Sequence, residues 1–563
     1  MATPTTSAGV RDILFLMRNL MLVSAVAAAS TILVFAQEQV DDSNIARFRS
    51  EAVENSQIMH TLHMLTDRYG PRVTGTPNHE AAAKWAVAEM TRWGMKNAHL
   101  EPWNFARPGW LNDHAWAFIT APVKENLHFE VLAWTASTNG TVAGSMVELE
   151  RTPEGPEIPR NNAAGFGRGG RGGGPQHYGP TQEQMDEWVA ANREKVRGKI
   201  VMVGKAAVIP VDFNPPAKRR PDDEVKAQYE GGGRGRGGRG NVPSDPRYLS
   251  NNKVEAIVDA MLVSGGALGK INDAARGEGL IFAQQDHQYD PSKTVPTIIV
   301  RNDDYGRMDR LLADGDDVKV EMNIVNRIFP EGKTSYNVVG EIPGSDKADE
   351  IVMLGGHLDS WHSGTGATDN AAGSSIMLEA ARLIQSLGLK PRRTIRVALW
   401  SGEEEGLLGS LAYVAQHFGT AENPKPEWYK LDAYFNIDTG TGRPRGASIF
   451  GPPAAADVLR PVLAHFTDWG VFGANTTTSR AVGGTDSTSF NNAGLPGVGF
   501  QQDPIEYNTL THHSSVDTYE RIIPDDVEKA AAVAAACVWD VANRDQMVPR
   551  FSKDQMPPYV KPQ

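Results

Sequence analysis

Residues 350–410 read EIVMLGGHLDSWHSGTGATDNAAGSSIMLEAARLIQSLGLKPRRTIRVALWSGEEEGLLGS. Residues 352–354 are a short apolar run ending in Gly355-Gly356, the form of a buried strand that releases its chain at a sheet edge. His357 and Asp359 come directly past that edge. From Asn370 the pattern changes to Ile376, Ala380, Leu383, Ile384 and Leu387, a helical period with Asn370 placed as N-cap and Gly388 as stop. A second β-branched apolar run, 394–400, leads into Glu403-Glu404-Glu405. Strand, helix, strand in this order predicts a right-handed parallel crossover, which brings both strand ends to one rim of the sheet.

Open α/β sheets bind ligands at that rim, so imidazole and carboxylate gathered there point to a metal site. Each piece also has a bland reading. A single histidine after a strand is ordinarily a solvated loop residue, and an acidic triplet before a helix ordinarily compensates the helix dipole. Here both occur on neighbouring strand ends, with Asp369 in a glycine-rich loop between them, and the combination favours the metal. The expected class is α/β, a mostly parallel central sheet with helices on both faces.

A chain of 563 residues exceeds one ordinary domain. Its composition, 40% hydrophobic and 22% charged, is globular, and its net charge of -12 argues against a general nucleic-acid binder. Residues 1–36 read as an export signal: Arg11 and Arg18 precede an apolar run over 20–35, and Val34-Phe35-Ala36 resembles a small-residue cleavage site. This reading makes the mature protein secreted or periplasmic. An uncleaved membrane anchor is the alternative, because the run is long for a signal. Cys537 is the single cysteine and falls in an alanine-rich helical segment, so no internal disulfide forms and the thiol is expected in the core.

Residues 45–65 have helical periodicity, as do 81–93, which Thr76-Pro77 opens and Gly94 closes. These helices are expected to cover the catalytic sheet, with 98–105 as a strand. A first domain over 43–125 then gives way to an inserted β-rich domain over 126–326. In the insert, β-like runs at 144–149, 199–203, 280–283 and 297–300 surround a helix at 254–262. Two glycine-arginine tracts, 165–174 and 231–240, read as flexible inserted loops in preference to RNA-binding segments. The first domain resumes over 327–545 with strands at 335–342, 434–437, ending at Asp438, and 497–500, leading into Asp503. The stretch 507–519, YNTLTHHSSVDTY, brings His512 and His513 onto a loop, and 516–540 closes the domain as a helix. Residues 546–563 are left as a C-terminal tail.

Five motifs in this order, GGHLDSW from Gly355, GATDNAAG from Gly366, EEEGLLGS from Glu403, NIDTG from Asn436 and HHSSVDT from His512, resemble those of the M28 family of zinc exopeptidases. Within it they are most similar to the carboxypeptidase Q and plasma glutamate carboxypeptidase group, whose members carry a protease-associated (PA) domain at a place like that of 126–326. The resemblance extends over nearly the whole chain after residue 36 apart from the two glycine-arginine tracts. It implies the zinc exopeptidase fold and two zinc ions bridged by Asp369. The first ion would also be held by His357 and Asp438, the second by Glu404 and His513. Glu403 would be the general base, and Asp359 would fix the tautomer of His357. His512 stands where related enzymes often have a tyrosine that steadies the oxyanion; it takes that role or is a plain loop residue. Asn370 replaces an Asp of some relatives at a position that is not a ligand. Glu405 is expected to be a charge at a helix start and His362 a non-ligand, and Asp486 in GGTDSTSF has no assigned role.

The implied protein is an exported zinc exopeptidase acting on peptides. Aminopeptidase action comes first, because carboxylates near the metals can hold a free amino terminus. Carboxypeptidase or dipeptidase action is the alternative, with Arg480 or Asn508 to receive the substrate carboxylate. A catalytically silent receptor on the same scaffold is less favoured, because all five ligands and Glu403 are kept. A single-zinc glutaminyl cyclase is less favoured because of the insert. The resemblance also implies a homodimer; no nucleic-acid partner is expected, and membrane contact only through an uncleaved N-terminal segment.

Overall fold

The computed structural model describes residues 40–158, 177–211, 213, 219–230 and 245–562, and residues Asp41–Gln563 form one compact unit. The export signal and both glycine-arginine tracts lie outside the described residues. The first sheet is built from β1 (Lys96–Asn104), β2 (Thr334–Ile342), β3 (Lys347–His357), β4 (Arg393–Trp400), β5 (Leu431–Asn436), β6 (Pro444–Phe450), β7 (Ala474–Thr477) and β8 (Gly497–Gln502). Their spatial order is β1-β2-β4-β3-β5-β8-β6-β7. The centre, β4-β3-β5-β8, is parallel, as is the edge pair β6-β7, and the pairs β1-β2, β2-β4 and β8-β6 are antiparallel. The apolar, β-branched character of β3, β4 and β5 matches this topology, because a central parallel strand is covered on both faces.

Helix Ala372–Ser386 is the crossover between β3 and β4, and its 372–384 segment is wholly buried. It packs with the alanine-rich helix Pro524–Asn543 against the central strands, and Cys537 is buried in the latter helix. From these same central strands, Met353, Trp400 and Tyr434 meet Tyr413, Phe418 and Phe490 from helices Leu408–His417 and Ser487–Asn492 and their surroundings. The closing helix starts at Pro524, later than its sequence suggests. Proline suits the first helical turn and disfavours helix in the residue before it, so 516–523 stays irregular apart from a short turn at Tyr519–Arg521. The N-terminal periodicity divides into helices Asp42–Glu54 and Ile58–His63. The tail is packed onto this sheet: Val548 N donates to Asp432 Oδ1 at 2.8 Å, and Asn492 Nδ2 donates to Val560 O at 2.6 Å.

Register sets the rim. His357 aligns with Trp400, and Gly355 aligns with both Ala398 and Asn436, so the chains leaving β3, β4 and β5 emerge side by side. Asn370 then ties two of those exits together. Its Oδ1 accepts from Gly373 N at 2.9 Å, as a helix cap, and its Nδ2 donates to Ile437 O at 3.0 Å, beside Asp438.

A second eight-stranded sheet runs Glu125–Asn126, Gly109–Ala121, Lys319–Phe329, Val142–Leu149, Ile200–Val203, Gly269–Asp273, Thr297–Val300, Phe129–Val131. It reaches past the expected boundaries at 126 and 326, because Gly109–Ala121 pairs along its length with Lys319–Phe329. The run at 280–283 is not a strand. It makes an isolated bridge, Phe282 to Ser514, across to the histidine loop. The core of this sheet, with Trp110 and Trp134, also takes in Trp361 from the loop after β3, and His362 Nε2 donates to Val131 O at 2.7 Å. The loop between His357 and Asp369 is thereby clamped by both sheets.

A methyl group at Gly373 would lie 2.2 Å from Ile437 O and 2.2 Å from Asn370 Oδ1. Gly373→Ala is expected to lower stability by about 1–3 kcal/mol through forced separation of the helix from the end of β5. A thermal unfolding midpoint equal to that of the wild type would contradict this close approach.

Candidate metal centre

Eight side chains singled out from sequence, His357, Asp359, Asp369, Glu403, Glu404, Asp438, His512 and His513, converge on the rim of β3, β4 and β5. His357 ends β3 and is buried. Its Nε2 lies 3.4 Å from Asp369 Oδ1 and 3.4 Å from Asp438 Oδ1. His513 Nε2 lies 3.2 Å from Asp369 Oδ2 and 2.9 Å from Glu404 Oε2. The Asp369 carboxylate therefore divides its oxygens between the two imidazoles. Ligand-type atoms of His357, Glu403 and Asp438 lie within 4.8 Å of one another, as do those of Asp369, His512 and His513. His512 stacks on His513 with ring centroids 3.8 Å apart, and its Nε2 is 3.7 Å from Asp369 Oδ2.

Asp359 acts differently from the sequence expectation. The group within hydrogen-bonding distance of His357 is its main-chain carbonyl, 3.1 Å from Nδ1, whereas its carboxylate is 3.7 Å away. With Nδ1–H donated to that carbonyl, Nε2 is the nitrogen left to take a cation placed between Asp369 and Asp438. The Asp359 carboxylate turns under the next strand end, where it accepts from Glu403 N at 3.3 Å, Glu404 N at 3.2 Å and Thr74 Oγ1 at 3.1 Å. Glu405 is not the solvated charge at a helix start that its sequence suggests. The helix begins at Leu408, and Glu405 is buried, its pKa raised well above the usual range by burial and then by Asp359. Arg480 is also buried, held by Glu422 at 2.5 and 2.9 Å and by Asn492 O and Pro557 O, so it does not face a substrate. Asn508 is exposed on the turn Tyr507–Thr511.

Three residues that sequence reasoning passed over support the centre. Asp517, within the quoted HHSSVDT motif, accepts from Thr368 N at 2.6 Å and Asp369 N at 3.1 Å, which fixes the loop carrying Asp369. Arg72 donates to the carbonyls of Leu65, Leu358, Thr365 and Gly366, pinning both ends of the glycine-rich loop. Tyr507 brings its hydroxyl to 3.4 Å from Asp438 Oδ1 and its ring to 4.9 Å from His512. The motif position of Asp517 was a usable signal. Arg72 arrives from a turn remote from the motifs, where no local pattern marks it, whereas Tyr507 opens the quoted stretch 507–519 just before His512.

The electrostatics are those of a site built for cations. Burial works to raise Asp369, yet the imidazoles of His357 and His513 beside it hold it well below the usual carboxylate range. Burial, with Asp438, Asp486 and Glu404 close by, pushes Glu403 well up despite His357, and burial pushes Glu404 up to about 7. Burial disfavours charge on the imidazoles, but the carboxylates around them raise His357 and His513 well above the ordinary histidine value. Among the described residues, the buried atoms His357 Nε2, Asp369 Oδ2 and Glu404 Oε1 have no hydrogen-bond partner. Buried polar atoms are rarely left so, and these are atoms that a divalent ion would take. Imidazole nitrogen with carboxylate oxygen is a donor set that zinc accepts.

Residues 337–538 match the model of Peptidase family M28. Carboxypeptidase Q of Mus musculus is 27% identical over 493 residues, 87% of this chain and 86% of its own length. Carboxypeptidase Q of Rattus norvegicus is 32% identical over 256 residues, 46% of this chain and 52% of its own. Among solved structures, a Peptidase M28 precursor from Shewanella amazonensis SB2B aligns with 90% of this chain and 98% of its own at 23% identity and a TM-score of 0.61. A zinc aminopeptidase from Bacillus subtilis aligns with 89% and 98% at 16% identity and a TM-score of 0.52, so the fold is shared with both. The matched segment begins in β2 and contains every strand end that delivers a donor to the rim, and the chain thus carries a peptidase family M28 domain over residues 337–538.

Proposed function

We propose that the protein is an exported dinuclear zinc exopeptidase that cleaves terminal peptide bonds, an aminopeptidase first, with residues 126–326 as an inserted protease-associated domain. The observation that carries this reading is the divided carboxylate of Asp369, whose two oxygens face His357 and His513 at 3.4 and 3.2 Å. One ion would sit with His357 and Asp438, the other with Glu404 and His513. Zinc bound there supplies a Lewis acid for the scissile carbonyl and lowers the pKa of water.

Glu403 follows β4 beside His357 and Asp438, with its amide held by Asp359. It takes a proton from the attacking water and delivers it to the leaving amine. Asp359 aligns Glu403 and Glu404 together through their adjacent amides, so that one carboxylate serves the metal and its neighbour serves the proton. His512 and Tyr507 are the donors offered to the developing oxyanion.

The carboxyl-terminal alternative is favoured by the likeness to carboxypeptidase Q over 87% of this chain. With Arg480 engaged by Glu422, Asn508 is the group left for it from the sequence candidates. For export, no helix among the described residues is long and apolar enough to cross a membrane, and the N-terminal run that carries the expectation lies outside them.

Hydrolysis of one peptide with free ends, with a blocked amino end and with an amidated carboxyl end distinguishes the readings. Loss on amino blocking alone is expected. Loss on amidation alone would make the enzyme a carboxypeptidase, and loss on both a dipeptidase. Glu403→Gln is expected to lower kcat by at least about 10²–10⁴-fold with both zinc ions retained; near wild-type turnover would remove Glu403 as the base. The carboxylates around His357 and His513 favour the protonated imidazoles in the metal-free site, and zinc must displace those protons. Zinc affinity is therefore expected to fall as pH is lowered from about 8 to about 6, with protons released on binding. Calorimetry in buffers of different ionisation enthalpy measures this, and pH-independent affinity would contradict it.

A further inference from the structure

The segment 281–286, between strands Gly269–Asp273 and Thr297–Val300 of the second sheet, reaches across to the turn that carries His513. Ser515 N donates to Ile281 O at 3.0 Å, and Phe282 and Ser514 pair as an antiparallel bridge. Beyond that bridge, the side-chain amide nitrogen of Gln284, Nε2, lies 2.6 Å from His513 Nδ1, and turning the amide over places Oε1 at the same point. The Gln284 main chain is fixed on its other flank, where Ala133 N donates to Gln284 O at 3.0 Å and Asp286 N donates to Ala133 O at 2.9 Å. Gln284 is thus held between the segment that follows strand Phe129–Val131 and the histidine turn.

His513 needs such a partner. Its Nε2 faces Asp369 and Glu404, its ring stacks on His512, and the Trp361 ring meets it edge-on at 6.4 Å. Its main chain has φ +58, a left-handed conformation that costs a non-glycine residue about 1–3 kcal/mol unless its surroundings hold it. An imidazole that offers the Nε2 lone pair to a cation carries its proton on Nδ1, and that N–H requires an acceptor. The amide of Gln284 has one, since its oxygen and nitrogen exchange places by rotation about the last side-chain torsion.

We propose that Gln284 is a positioning residue for the metal centre, accepting from His513 Nδ1–H and so fixing the tautomer and ring plane of that ligand from the second sheet. The inference rests on the dinuclear reading above. His357 has its own partner in the carbonyl of Asp359, so the two imidazoles are served by different parts of the chain. Affinity for the ion at Glu404 and His513 then depends on how the second sheet seats against the histidine turn, and affinity for the other ion does not.

The test is a zinc titration of the full chain against a chromophoric chelator, for the wild type, Gln284→Leu and Gln284→Glu. Gln284 is exposed apart from this contact, so neither change enters a core. Gln284→Leu is expected to weaken one of two ions about 10–100-fold and leave the other unchanged, with the unfolding temperature of the metal-free protein as in the wild type. Gln284→Glu keeps an acceptor and is expected to stay within about threefold of wild-type affinity for both ions. Unchanged affinities in Gln284→Leu, or an equal loss in Gln284→Glu, would overturn the assignment and leave the two-ion centre standing. A lower metal-free unfolding temperature in Gln284→Leu would overturn it in favour of plain packing. A wild type that takes up no zinc would overturn both this assignment and the dinuclear reading.

Discussion

Carboxylates buried together on one sheet rim are the constraint to which the surrounding structure answers. Asp359, Asp369, Glu405, Asp486 and Asp517 are all buried there, and the side chains of Glu404 and Asp438 are nearly so. Unpaired charge is expensive to remove from water, and such groups either take up protons or gather cations. Burial pushes Asp486 and Asp517 up to about 7, with Asp369 adding to the effect on Asp517. The hydrogen bonds of the buried Arg72 go to main-chain carbonyls, so that guanidinium fixes loops more than it neutralises any one acid. Divalent ions between His357 and His513 would turn this accumulation from a cost into a binding site.

The scaffold delivers these groups by geometry that a parallel crossover supplies. Equal register at the ends of β3 and β4, with β5 alongside, puts His357, the Glu403-Glu404 pair and Asp438 at one level. Asn370 and Gly373 bind the crossover helix to the exit of β5, and Asp517 binds the histidine loop to the loop bearing Asp369. Trp361 and His362 then lock that glycine-rich loop into the core of the second sheet. Each exit is held by an element other than its own strand, which is how loops come to hold ligands with the precision of a scaffold.

Much of this was legible in the sequence. The strands β3 and β4, the crossover between them, the cap at Asn370 and the convergence of the eight donor residues all follow from runs, breaks and motifs that are local in the chain. What escaped was set by distant partners. The Asp359 carboxylate is drawn to the amides of Glu403 and Glu404, 44 and 45 positions away, which leaves the carbonyl to His357, and the burial of Glu405 depends on packing that no acidic triplet reveals. Arg480 looked available for a substrate until Glu422, 58 positions away in the chain, was placed against it. The second sheet extends beyond the boundaries expected at 126 and 326 because its long strand Gly109–Ala121 finds its partner in Lys319–Phe329, and pairing at that separation leaves no mark in either strand.

The central claim is that Asp369 joins two ions. Anomalous diffraction at the zinc absorption edge, from crystals of the zinc-loaded protein, tests it most directly. Two peaks about 3.5–4 Å apart, one on the His357 side of Asp369 and one on the His513 side, are the predicted result. A single peak, or peaks away from Asp369, would contradict it.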